Sequence, residues 1–189
     1  MSRSLIWNTL TWIWLVAELL LVVATRTRRS RGSVRDRGSM LLLWVTIAAS
    51  ITVCQWNKAV HPSTMFGGAE WLAITGLILF VAGLTVRAVA IYTLGAAFSV
   101  NVAIRSAQRV CKRGLYRHLR HPSYTGMLLI FAAYGVHSRN WWSLAVVVAG
   151  PTAAMLYRIH VEEAALLGAF GEEYADYMRT TKRLIPGVY

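Results

Sequence analysis

Acid is scarce in this chain. Asp and Glu number 8 against 20 Lys and Arg in 189 residues, a formal net charge of +12, and charged side chains of either sign make up only 15%. So little charge, beside 56% hydrophobic residues and a mean hydropathy of +0.47, excludes an ordinary soluble domain of this size. Cysteine is scarcer still, with 2 residues. Cys54 falls in an apolar run and Cys111 in a basic one, so neither a disulfide framework nor a metal site is spelled out. The histidines, His61, His118, His121, His137 and His160, fall on differing faces and sides of the expected helices, and no Cys/His spacing resembles a zinc site. No G-x-G-x-x-G follows a strand and no Walker sequence is present, which excludes the soluble nucleotide-binding folds. The basic residues come without a zinc-finger or RNA-binding signature, which argues against nucleic acid as a partner.

What the chain does have is long apolar runs. The first, 5–24, carries one acid, Glu18, and reaches roughly 30 Å at 1.5 Å per residue, enough for the hydrocarbon core. An arginine block rather than a small-residue cleavage site follows it, so it reads as a retained span and not a signal peptide. Arg26, Arg28, Arg29, Arg31, Arg35 and Arg37 mark the next connection as cytoplasmic. Further spans are expected at 40–56 and 71–92, the latter with Trp71 and Tyr92 as interfacial anchors and Arg87 snorkelling to water near its end. Arg105, Arg109, Lys112, Arg113, Arg117 and Arg120 then return the chain to the cytoplasmic face. Pro122 fits the first turn of a fourth helix, 122–136, and a short link leads to a fifth, 141–160.

The expectation is one all-α, polytopic integral membrane domain over 1–189, with five transmembrane helices of which the last two form a helical hairpin. Positive-inside counting puts the N-terminus outside and the C-terminus inside. From Glu162 onward Leu166, Leu167, Phe170, Tyr174 and Tyr177 recur at three- and four-residue spacing, an amphipathic cytosolic tail that Pro186 ends.

Two polar clusters then share one side of the membrane: the segment 108–124 and the group Arg158, Glu162 and Glu163. Arginine and histidine beside lipid are costly unless they stay wet, pair or hold a ligand, so both clusters are functional-site candidates. Arg158 and Glu162, four residues apart, share a helix face; they suit either a salt bridge at a helix end or a common cavity, with Glu163 pointing elsewhere. His121-Pro122 suits a helix start, and Tyr116 and Tyr124 suit interfacial aromatics, as readily as a binding site.

The order Gly114-x-Tyr116, Arg120-His121-Pro122-Ser123-Tyr124-x-Gly126, Arg158-x-x-x-Glu162-Glu163, Phe170-Gly171-Glu172-Glu173-Tyr174-x-x-Tyr177 and Arg183-x-x-Pro186 resembles the isoprenylcysteine carboxyl methyltransferase family. The likeness covers about residues 94–189 and extends to the wider class of integral-membrane methyltransferases. It implies transfer of a methyl group from S-adenosyl-L-methionine to a lipophilic acceptor entering from the bilayer, most simply a carboxylate as in prenylcysteine O-methylation. Gln108, Arg109, Val110, Cys111, Tyr116, His121, Pro122, Ser123 and Tyr124 would then line the cofactor pocket at the cytosolic side, Glu162 would meet the cofactor's charged amino acid end, and Arg158 would face the acceptor. Where eukaryotic members have a largely polar lead-in before Gly114, this chain is strongly basic over 105–113, and nothing is carried over upstream of Gln108. The competing readings are a phospholipid-type N-methyltransferase, an NADPH-dependent membrane reductase and a non-enzymatic protein that binds anionic lipid through its arginines.

Overall fold

Lipid offers no partner to a backbone N–H or C=O, so apolar runs of this length become helices. The computed structural model describes residues 3–26, 32–34, 38–60, 70–98, 103–105 and 109–189. Six α-helices are present among them: α1 (Arg3–Arg26), α2 (Ser39–Val60), α3 (Glu70–Leu94), α4 (Pro122–Ser138), α5 (Trp141–Phe170) and α6 (Glu172–Thr180). Two three-residue strands, β1 (Gly32–Val34) and β2 (Ala103–Arg105), pair antiparallel. They tie the connection after α1 to the segment after α3.

Four of these helices are long and apolar enough to cross a membrane: Leu5–Ala24, Ser39–Asn57, Glu70–Ala97 and Trp141–Phe170. The chain is an integral, multi-pass membrane protein, but the expectation of five spans closing in a helical hairpin is overturned. α4 has 17 residues, about 25 Å of helix. Its small and apolar side chains are spent on packing: Gly126, Met127, Ile130, Phe131, Ala133 and Gly135 are buried within the protein. α5 is no matching partner, since its 30 residues run ten positions beyond the expected end at 160. It stops only at Gly171, whose φ of +52° no ordinary helix tolerates.

Glycine lets α3 and α4 meet backbone to backbone. A Cβ on Gly83 would stand 2.6 Å from the Gly126 carbonyl, and one on Gly126 would stand 2.8 Å from the Arg87 nitrogen. Without a hydrophobic drive between helices in lipid, such close small-residue contacts carry the association. α1 reaches the bundle differently. Trp7, Thr11, Trp14 and Glu18 recur along one of its faces and touch Phe80, Phe131, Tyr134 and Arg87, while Trp12, Val16, Leu19 and Leu20 remain exposed on the other. The core is aromatic: the Trp7 ring stands edge-on to Phe80 at 5.1 Å and lies flat against His137 at 3.8 Å. At the end of the bundle where α5 begins, Asn140 caps it by accepting from the Ser143 N–H at 2.9 Å and takes a second donor from Asn57 of α2. The other end holds a cavity.

Candidate functional site

Pro122 stands at the first position of α4 with His121 as its cap, as the X-Pro spacing predicts. The chain before it makes a short 3-10 turn, Gly114–Arg117, opened by Gly114 at φ +55°. These local choices bring 109–124 across the ends of α3 and α5. A second strap crosses them from the far end of the chain, where Arg120 N–H donates to the Lys182 carbonyl at 2.7 Å and His121 N–H to the Arg183 carbonyl at 3.0 Å.

Beneath the two straps lies a cavity of about 1180 Å³ including its open mouth. Arg109, Val110, Cys111, Tyr116, His121, Ser123, Tyr124, Arg158 and Glu162 all line it, so residues from three separate motifs meet in one space. Pro122 is buried behind the wall and not on it, because its work is to start the helix. Gln108 lies outside the described residues. Tyr174 and Tyr177 of α6, with Leu166 and Phe170 of α5, complete the outer wall, and Met40, Leu43, Trp44, Leu94, Phe98 and Met127 supply an apolar one.

One phenol organises the polar wall. The Tyr124 hydroxyl donates to Glu162 Oε2 at 3.0 Å and accepts from Arg158 Nε at 2.8 Å. Arg158 Nη1 reaches on to Ser39 Oγ at 3.1 Å, at the start of α2. Arg158 and Glu162 thus share a helix face as their spacing predicts, with Tyr124 placed between them. Among the described residues the lining holds two carboxylates. Glu18 is gripped by Arg87, whereas Glu162 accepts from the Tyr124 hydroxyl on the cavity side. Burial pushes the Tyr116, Tyr174 and Tyr177 hydroxyls well above the usual phenol range, so all three remain neutral donors.

Glu163 behaves otherwise. It is 3% exposed and sits among Arg120 (Nε to Oε1, 2.7 Å), Arg183 (Nη2 to Oε2, 2.9 Å) and His121 (Nε2 to Oε1, 3.4 Å). The bond to Glu163 raises the Arg183 guanidinium above its ordinary value. Arg120 Nη1 also donates to the Met178 and Thr181 carbonyls. The Tyr177 hydroxyl donates to the Tyr116 carbonyl at 2.6 Å. This clamp fixes the straps over the cavity, and the Arg120, Glu163 and Arg183 motif positions are its parts.

Sequence reasoning missed a second buried pair. Arg87 does not snorkel: it is 7% exposed and bonded to Glu18 through Nε at 2.5 Å and Nη2 at 2.7 Å. The available signal was a single acid in the first span and a single base in the third, since intramembrane charges seek each other. Among the described residues no group of His, Cys, Asp and Glu is arranged to hold a metal ion.

Comparison with known proteins places this geometry. Residues 76–168 match the isoprenylcysteine carboxyl methyltransferase family. The chain is 29% identical over 158 residues to the protein-S-isoprenylcysteine O-methyltransferase of Tribolium castaneum, covering 75% of this chain and 51% of that protein. It is 32% identical over 147 residues to the Dictyostelium discoideum enzyme of the same name, covering 71% and 62%, and 29% identical over 130 residues to that of Mus musculus, covering 61% and 42%. Thus it spans about half the length of several of these relatives. A solved structure of a eukaryotic intramembrane Ras methyltransferase of this family superposes with a TM-score of 0.64 at 25% identity, covering 76% of this chain and 52% of that one.

Proposed function

Because the chain belongs to the isoprenylcysteine carboxyl methyltransferase family, we propose that it transfers a methyl group from S-adenosyl-L-methionine to the carboxylate of a lipophilic, membrane-embedded acceptor, of which a prenylated cysteine is the model. The observation that carries the reading is the Glu162–Tyr124–Arg158 arrangement: an available carboxylate and a fixed guanidinium on either side of one phenol, in a cavity walled by tyrosines on one part and apolar side chains on another.

The donor set fits the cofactor. Glu162 would hold its ammonium, and the buried faces of Tyr116, Tyr174 and Tyr177 would take its base or stand beside its sulfonium, each cation–π contact being worth about 0.5–2 kcal/mol. When bound, it supplies a methyl on a positively charged sulfur that leaves as a neutral thioether, so no protein acid is needed. Nor does a carboxylate acceptor need a base. The residues' task is alignment. Arg158, held as a plane by Tyr124 and Ser39, can direct a fork of N–H groups at both acceptor oxygens, which a lysine cannot. The apolar wall of Met40, Leu43, Trp44, Leu94, Phe98 and Met127 suits the acceptor's lipid portion. By the positive-inside rule the mouth of the cavity faces the cytosol, with α1 beginning on the other side.

The test is transfer of a labelled methyl to N-acetyl-S-farnesylcysteine by the detergent-solubilised chain, with S-adenosylhomocysteine and NADPH compared in thermal shift. Labelled product and stabilisation by S-adenosylhomocysteine are expected; stabilisation by NADPH alone sinks the proposal. Arg158→Lys is expected to lower turnover about tenfold, one charge-assisted hydrogen bond, with S-adenosylhomocysteine affinity little changed.

A further inference from the structure

The cavity wall carries, besides Arg109 and Arg158, an arginine for which the proposed chemistry has no use. Arg87 on α3 and Glu18 on α1 both line it and are both buried. Two parallel bonds join them, and the Trp14 indole N–H donates at 3.2 Å to Glu18 Oε1, the oxygen that also accepts from Arg87 Nε. The remaining face of the guanidinium turns to α4, where Nη1 donates to Ser123 Oγ at 2.6 Å. An ion pair among apolar helices is a poor way to gain stability, since packed apolar side chains of similar volume commonly do as well or better. Bulk stability therefore accounts badly for its presence, and what it touches becomes the better guide.

Arg87 meets the first turn of α4 twice. Its side chain holds Ser123, and its backbone nitrogen lies where a Cβ on Gly126 would come within 2.8 Å. Those positions are three residues apart on one face of α4. Tyr124 is the next residue after Ser123 and faces α5, where its hydroxyl separates Arg158 from Glu162. A single line of hydrogen bonds thus runs from Trp14 in the core to Glu18, Arg87 and Ser123 on the cavity wall, and stops one residue short of the phenol that organises the site.

We propose that Glu18 is a positioning residue: by fixing the plane of Arg87 it sets Ser123 and the first turn of α4, and so the place of the Tyr124 hydroxyl between Glu162 and Arg158. The inference rests on the methyltransferase reading for what Glu162 holds. It adds that α1, which lies outside the matched residues 76–168, helps to define the site. With the carboxylate gone, the guanidinium keeps its bonds to Ser123 but its plane is no longer fixed from the α1 side, and Tyr124 loses its register with α5.

The experiment is a double-mutant cycle on the full chain in detergent, reading S-adenosylhomocysteine affinity by calorimetry for the wild type, Glu18→Gln, Tyr124→Phe and the two combined. Each single change is expected to weaken binding about tenfold, and the combination no further than about tenfold, because both act through one hydroxyl. Glu18→Leu with Arg87→Met guards against misfolding, as it removes the pair without leaving a bare charge; it should melt like the wild type and still bind about tenfold more weakly. Multiplying losses in the cycle, or wild-type affinity in the apolar double variant, overturns the role of Glu18 and leaves the methyltransferase reading intact. A wild-type chain that does not bind S-adenosylhomocysteine overturns both.

Discussion

Glu163 and Glu162 are one residue, about 100°, apart on α5, and that rotation sends them into different kinds of chemistry. Glu163 turns under the straps and meets two arginines and a histidine at 3% exposure, so all of its charge is spent inside the protein. Glu162 turns into the cavity and, among the described residues, takes its hydrogen bond from a phenol. Both belong to the same motif, Arg158-x-x-x-Glu162-Glu163. Their partners separate them: Glu163 is surrounded by the chain's own cations and builds the site, whereas Glu162 faces the cavity.

The sharpest way to break that distinction is to remove Glu163. Glu163→Ala leaves Arg120, Arg183 and His121 facing one another without their anion, and losing one member of a buried charge cluster costs about 3–5 kcal/mol. Thermal unfolding in detergent should show a large drop, with the C-terminal strap becoming open to protease. Wild-type melting would mean that the clamp does not hold the straps. Glu162→Gln should do the reverse. Its melting should stay close to wild type while S-adenosylhomocysteine binds about 10- to 100-fold more weakly, about 1.4–2.8 kcal/mol. Unchanged affinity there would remove Glu162 from the proposed cofactor site.

How much of this was legible beforehand differs between the two regions. Hydropathy alone marked the first three spans to within a few residues, and Pro122 marked the start of α4, because these are local signals. The cavity residues were legible through their ordered motifs, and the structure gathers all of those it describes except Pro122 onto one wall. The helix count was not legible. α4 has the composition of a span, but its small residues serve contact with α3, which no single-chain hydropathy can distinguish from contact with lipid. Glu162 and Glu163 looked like the charged exit of α5, which in fact continues to Phe170 since both acids find buried or cavity-side positions. Arg87 near a helix end looked like a snorkelling residue, and its partner Glu18 lies 69 positions away. Long-range pairing is the part of the fold that a linear reading does not contain.

A smaller effect should follow at the clamp's edge. Tyr177→Phe deletes the hydroxyl that donates to the Tyr116 carbonyl at 2.6 Å and lies 3.3 Å from that of Leu119. The phenol is kept neutral by burial, so its donor is present throughout the accessible pH range. One net hydrogen bond is worth about 1 kcal/mol, and the melting curve should shift by that much with no pH dependence between neutral and mildly alkaline conditions. A pH-dependent shift would place an ionised phenol there and contradict the geometry.

The smallest effect tests whether ion pairing itself or its burial gives Glu163 its weight. Arg179 on α6 also meets two carboxylates, Asp176 at 2.6 Å and Glu172 at 3.1 Å, distances close to the 2.7 and 2.9 Å of the clamp's arginines. Its side chain is 68% exposed, so water already solvates all three charges, salt screens them, and the pair offsets little more than the entropy of holding long side chains in place. Arg179→Ala should therefore move stability by less than about 0.5 kcal/mol, and less still as salt is raised. If it instead approached the loss from Glu163→Ala, charge count rather than desolvation would govern both regions, and the contrast between the clamp and the surface of α6 would have to be redrawn on net charge.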